Sequence, residues 1–216
     1  DRYIPALSSD EFVSLAKLNN KSLVLTVSQS GETFDTIKAL KFAKSKGAKT
    51  AAIVNVIGSS ISRLVDKVIL QGSGPEICVI STKAAFAQMI TMTLLALKLG
   101  LKKKILKRKE YDKSINALCE LPEIIQNILN ERSGFIHRIA NNYSKIKNWL
   151  YLGRGIYYPV ALESALKMKE VAYVHAEGMP GGFLKHGTLA MIDQDVNSIV
   201  FIPPRSDKAL YESTIH

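Results

Sequence analysis

The run Leu23-Val24-Leu25-Thr26-Val27 passes directly into Ser28-Gln29-Ser30-Gly31-Glu32-Thr33, and this junction constrains the fold more than any other stretch. The first segment is apolar and β-branched, and its length suits a buried parallel strand. Beyond the junction, Phe34, Ile37, Leu40 and Ala43 recur at helical spacing from Thr33 to Lys46, and Gly47 stands where a helix stops. Three hydroxyls and a glycine therefore occupy a strand-to-helix turn. Such a turn aims backbone N–H groups and the positive end of a helix dipole at one small volume. Gly31 allows a close backbone approach there. Two readings fit: Ser30 or Thr33 caps a helix, or the turn grips a phosphate ester.

The pattern continues as alternating strands and helices. Thr50 to Val56 reads as a second strand, Gly58-Ser59-Ser60 opens a short helix ending near Leu64, and Lys67 to Leu70 is a third strand. That rhythm predicts a parallel sheet covered by helices, an α/β fold. After the loop Gly72-Ser73-Gly74-Pro75, the cluster Ser81-Thr82-Lys83 opens a long apolar helix closing at Gly100. In a doubly wound sheet the loops at the carboxyl ends of the strands share one edge, so two hydroxyl clusters there favour the phosphate reading.

The net charge of +10 is uneven. Between Leu101 and Lys113, seven Lys and Arg residues face Glu110 and Asp112, a balance of +5. Without interleaved aromatics, this run reads as a solvated connector rather than a nucleic-acid surface. The stretch from Ala84 to Leu97, interrupted by Gln88 and two threonines, is expected to be too short for a bilayer span, which needs about 20 apolar residues. Neither a nucleic-acid nor a membrane partner is expected. The N-terminal residues do not read as a signal peptide. Cys78 and Cys119 lie far apart and make no disulfide or metal framework, so a reducing cytoplasmic setting is expected. Ser114 to Lys147 reads as helices with a break near Leu121-Pro122.

A second unit begins at Trp149-Leu150-Tyr151-Leu152-Gly153-Arg154-Gly155, a strand running into a glycine turn. The helix from Val160 to Tyr173 carries Glu163, Lys167 and Glu170 on one face. Glu170 with Lys167 is either a surface ion pair or a carboxylate placed for proton transfer. His175 reads as a capping or hydrogen-bonded residue following that helix. A glycine-rich turn is expected from Gly178 to Gly182. His186, in the loop Leu184-Lys185-His186-Gly187, suits acid–base chemistry near neutral pH. Asn197 to Ile202 is a further strand, ended by Pro203-Pro204.

These segments resemble a known family. Ser28-Gln29-Ser30-Gly31-Glu32-Thr33 with Asp35-Thr36 is similar to the phosphate loop of the sugar-isomerase (SIS) family. Gly74-Pro75-Glu76-Ile77, Val79 and Ser81-Thr82-Lys83-Ala84 resemble its second substrate segment. Ala161-Leu162-Glu163, Ala165-Leu166-Lys167, Lys169-Glu170, His175-Ala176-Glu177 and Leu184-Lys185-His186-Gly187 resemble the isomerase half of the glutamine–fructose-6-phosphate aminotransferases. The resemblance implies two SIS-type doubly wound parallel-sheet sandwiches joined by helices, both incomplete here. They would lie at 1–104 (lacking a first strand) and 146–216 (truncated at its C-terminus), with a helical connector at 105–145. It implies fructose 6-phosphate as substrate, glucosamine 6-phosphate as product, no metal and no organic cofactor. Ser28, Gln29, Ser30 and Thr33 would hold the phosphate, and Val79 and Ser81 would contact the sugar. Glu170 would move a proton between C1 and C2 with Lys167 close by. His186 would help open the sugar ring, reaching in from the partner subunit of a homodimer. A glutaminase domain and a tail lysine are expected in the longer protein, with this piece inactive by itself. Phe183 departs from the family, which usually has Glu there. The alternatives are an amino-sugar phosphate deaminase, an aldose–ketose isomerase, or a non-catalytic sugar-phosphate-binding module of the same superfamily.

Overall fold

The structure, a computed structural model, describes residues 4–215. The chain divides into two compact units, residues 1–122 and 123–216.

In the first unit, a short helix α1 (Phe12–Leu15) precedes β1 (Leu23–Ser28), α2 (Phe34–Ser45), β2 (Lys49–Val54), α3 (Ser60–Leu64) and β3 (Lys67–Leu70). The strands form a parallel sheet in the order β1-β2-β3, with Leu23 opposite Lys49 and Ala51 opposite Lys67. Three successive strands running the same way send the loops after β1, β2 and β3 to one edge. Helix α2 turns Thr36, Ala39, Leu40 and Ala43 inward, the i, i+3, i+4, i+7 set of a single face. Leu40 packs with Ala52, Val54 and Ile61, and Ala43 with Val24 and Ala48. Gly47, at φ +73°, ends α2 in the left-handed conformation, and the Ala48 amide donates to the Ala43 carbonyl.

The long apolar helix is α4 (Thr82–Lys102), which runs two residues past Gly100. It is 21 residues long, and an 18-residue window within it has a mean hydropathy of 1.6, which meets the length and composition of a bilayer span. This corrects the expectation of a stretch too short to cross. One such helix is weak evidence for a membrane, because core helices of globular folds pass the same test. Helix α5 (Arg108–Asn142) continues through Pro122 rather than breaking there, which corrects the sequence expectation. Proline removes one N–H and crowds the preceding turn, yet helices can absorb that locally.

The second unit contains β4 (Asn148–Gly153), α6 (Tyr157–Ala172), β5 (His175–Pro180), β6 (Val196–Val200) and α7 (Lys208–Ile215). Its parallel sheet has the order β5-β4-β6, so β4 is central and successive connections leave it in opposite directions. Strand β5 replaces the expected glycine turn as far as Pro180. Its partner β4 supplies the ladder that the sequence His-Ala-Glu-Gly-Met-Pro does not advertise. His175 is its exposed first residue, donating its backbone N–H to the Lys147 carbonyl. Trp149, Tyr151, Ala161, Ala165 and Ala176 form the core. The two alanines of α6 and Gly178 of β5 bring helix and sheet into backbone contact: a Cβ at 178 would lie 2.6 Å from Leu162 Cα.

Candidate functional site

In the first unit, the turn after β1 is ordered by its own hydroxyls. Ser28 is buried, and its Oγ accepts from the Gly31 amide at 3.1 Å while pairing with Thr33 Oγ1 at 3.2 Å. Ser30 Oγ accepts from the Glu32 amide at 3.2 Å. Thr33 occupies the N-cap position of α2, but its side chain makes no capping bond. Helix capping is therefore not what the Thr33 hydroxyl does. It faces Ser28 across the turn, leaving a compact set of neutral donors at the head of a 12-residue helix. That arrangement suits an oxyanion, because the donors need no partner charge.

The turn is braced by the loop after β2. The Asn55 amide donates to the Gln29 carbonyl at 3.1 Å and the Ile61 amide to the Gly31 carbonyl at 2.9 Å. The Ser60 amide donates to Glu32 Oε1 at 2.7 Å. Glu32's carboxyl is held below its ordinary range by the Ser60 hydroxyl and amide. Asn55 also reaches the third loop: its Nδ2 donates to the Gly74 carbonyl at 2.7 Å, and its Oδ1 accepts from the Ser73 amide at 3.1 Å. One asparagine thus ties together the loops after all three strands. Sequence reasoning missed Asn55 and the bracing role of Glu32. The available signal was a lone amide residue ending an apolar strand.

Of the two expected sugar contacts, Val79 is exposed in the segment between β3 and α4. Ser81 is half-buried at the N-cap of α4 with φ 55°, a left-handed conformation uncommon for serine. Glu76 accepts from the Ala84 amide at 3.2 Å and so tethers this segment to the helix start.

In the second unit, Lys167 Nζ lies 2.7 Å from Glu170 Oε2 and 3.4 Å from Glu163 Oε1. Both Lys167 and Glu170 are half-buried. Burial pulls the Lys167 ammonium toward neutrality. The hydrogen bond to Glu170 and the charge of Glu163 outweigh it, so its pKa is raised. The charged face read from the sequence is a three-membered network with the ammonium at its centre. His186 is exposed between the 3-10 turns Gly181–Phe183 and Thr188–Met191. Its amide donates to the Phe183 carbonyl at 2.9 Å, and its ring meets that of Phe183 edge-on at 6.1 Å. Among the described residues, no hydrogen bond joins His186 to Glu170.

Both units are parallel α/β sheets, and the first bears a hydroxyl-lined turn at a strand's carboxyl end. The SIS domain family matches residues 6–98 and 142–214, and the chain belongs to that family. The chain is 41% identical over 216 residues to glutamine–fructose-6-phosphate aminotransferase (isomerizing) of Methanocaldococcus jannaschii, across 99% of this chain and 19% of that protein. It is 42% identical over 210 residues to the same enzyme of Methanococcus maripaludis, across 97% of this chain and 34% of that protein. Among solved structures, the C-terminal domain of glucosamine-fructose-6-phosphate aminotransferase from Francisella tularensis superposes with a TM-score of 0.88 at 33% identity. That superposition covers 95% of this chain and 58% of the other. The chain thus spans a fifth to a third of these two curated relatives.

Proposed function

We propose that this chain is the isomerase portion of an enzyme that converts fructose 6-phosphate and glutamine-derived ammonia into glucosamine 6-phosphate. The observation that carries this reading is the hydroxyl-lined turn Ser28–Thr33 at the carboxyl end of β1, in a chain similar over nearly its whole length to such aminotransferases. In this reading Ser28, Gln29, Ser30 and Thr33 hold the phosphate, and Val79 and Ser81 contact the sugar. Gripping the phosphate, remote from the reacting carbons, supplies orientation.

The chemistry at the other end needs an open chain and one proton shuttle. His186 would act at the ring oxygen during opening, from the partner subunit of a homodimer. Ammonia adds at the C2 carbonyl and water leaves, giving an imine. Glu170 then removes the proton from C1 and returns it to C2, while the O1 hydroxyl proton passes to the nitrogen, which yields the 2-amino aldose with no net change in oxidation state. The Lys167 ammonium, 2.7 Å from the Glu170 carboxylate, orients it for both half-steps. The longer protein would carry a glutaminase domain and work in the cytoplasm.

The test is Glu170→Gln in the full-length protein, followed by exchange of substrate C1 hydrogen with solvent deuterium. The expected outcome is loss of exchange by about a hundredfold or more with sugar-phosphate binding retained. Undiminished exchange removes Glu170 from the role. Ammonia release from glucosamine 6-phosphate without synthesis would replace the reading with a deaminase.

A further inference from the structure

The second unit has a cavity of about 340 Å³ that none of the roles above uses. It opens at the carboxyl ends of all three strands of that sheet: Leu152 and Gly153 end β4, Val200 ends β6, and Gly181 follows β5. Because the order is β5-β4-β6, this is the point where the winding reverses, the usual place for a ligand in an open α/β sheet. Arg154, directly after β4, reaches into it. Its side chain lies across Gly181 and Gly182: a Cβ at 181 would be 3.4 Å from Arg154 Cγ, and one at 182 would be 3.5 Å from Nη1. Glycine at both positions leaves room for the guanidinium and exposes the backbone beside it.

Arg154 is half-buried, yet among the described residues no hydrogen bond, ion pair or ring contact engages its guanidinium. A partly desolvated guanidinium has five donors to satisfy, so a free one beside a cavity points to an absent acceptor. Lys185 adds a second cation to the wall, and among the described residues no acidic side chain lines the cavity. The remaining wall is chiefly Leu152, Leu184, Leu189 and Val200. Among the described residues, the only side-chain hydroxyl there, Thr214, already donates to the Leu210 carbonyl.

We propose that the second unit binds a dianionic phosphate monoester with a compact apolar body. The Arg154 fork would take two phosphate oxygens and Lys185 would add a point charge. Two cations with no carboxylate favour a dianion, and leucine walls without free hydroxyls disfavour a polyhydroxylated sugar. The described residues lining the cavity all belong to the second unit, and the proposal is independent of the aminotransferase reading.

The probe is phenyl phosphate, titrated calorimetrically into the full-length protein carrying Ser30→Ala and Thr33→Ala, which cripples the first unit's phosphate turn. Binding is expected to persist, to weaken about tenfold with Arg154→Met and a few-fold with Lys185→Met, and to fall with added salt. Arg154→Lys should give an intermediate loss, since it keeps charge without the fork. Lys185 is exposed, so its variant decides the matter if Arg154→Met fails to fold. Unchanged affinity in the Arg154 and Lys185 variants overturns the proposal. So does the disappearance of all binding once Ser30 and Thr33 are replaced.

Discussion

Glu32 Oε1 and the Ser60 amide stand 2.7 Å apart, a clasp between the turn after β1 and the first residue of α3. The carboxylate thus braces the turn against α3. On the proposed reading, replacing Glu32 by Ala should weaken fructose 6-phosphate binding about three- to tenfold, the range for losing one charge-assisted hydrogen bond at an accessible site. Glu32→Gln keeps an acceptor oxygen and should restore most of that affinity. Calorimetry on the full-length protein checks both, with Ser30→Ala alongside. If Ser30→Ala weakens binding and Glu32→Ala does not, the clasp has no role in the grip.

Gly31 packs against Ser59 so closely that a Cβ would stand 2.1 Å from Ser59 Oγ and 2.6 Å from its Cβ, with φ at +68°. Ser59 is itself buried. Gly31→Ala should therefore cost about 2–3 kcal/mol and displace the turn. Adding Ser59→Gly removes the collision but not the positive φ, so the double variant should recover only part of the loss. Chemical denaturation of the four members of the cycle measures this.

Asp66 accepts from the Thr50 amide at 2.7 Å and from Thr50 Oγ1 at 2.9 Å, with the Lys44 ammonium 3.8 Å away. These bonds, the amide first, hold its carboxyl below the ordinary value of 3.8. The folded value is the lower one. Its stabilising contribution is therefore complete above pH 3.8 and disappears as pH falls through the folded value. The melting temperature of the parent should drop more steeply below about pH 4 than that of Asp66→Asn, the two curves converging in acid. Parallel curves would refute it.

Gly178 of β5 meets α6 backbone to backbone, with Ala161 O 2.7 Å from the position of a Cβ. Gly178→Ala should destabilise the second unit by about 2–4 kcal/mol, since neither main chain can yield cheaply. Gly134, in α5, has nothing within 4 Å of its Cβ position. Gly134→Ala should be neutral or stabilise by about 0.5–1 kcal/mol. Thermal unfolding of the pair separates a steric cost from a propensity effect.

The strand, turn and helix from Leu23 to Lys46 were legible because three local signals agree there: a β-branched run, a glycine among hydroxyls, and one apolar helical stripe. Strand β5 was not, because its six residues include glycine and proline, and its extended form comes from pairing with β4. Pro122 misled for the opposite reason. A local breaker signal was overridden within a 35-residue helix. Within the candidate site, the hydroxyl residues could be read from their spacing. Asn55 and Glu32 could not, since each acts through groups brought near only by folding.

Ser81 enters α4 through a left-handed backbone at φ 55°, where a serine is about 1 kcal/mol less comfortable than a glycine. On the proposed reading, in which Ser81 contacts the sugar, durability and grip are opposed at this one residue. Ser81→Gly should raise the melting temperature while loosening the hold on the sugar, two readouts moving apart from a single exchange. A chain tuned for endurance alone would carry glycine there, and on that reading the hydroxyl marks where robustness yields to recognition.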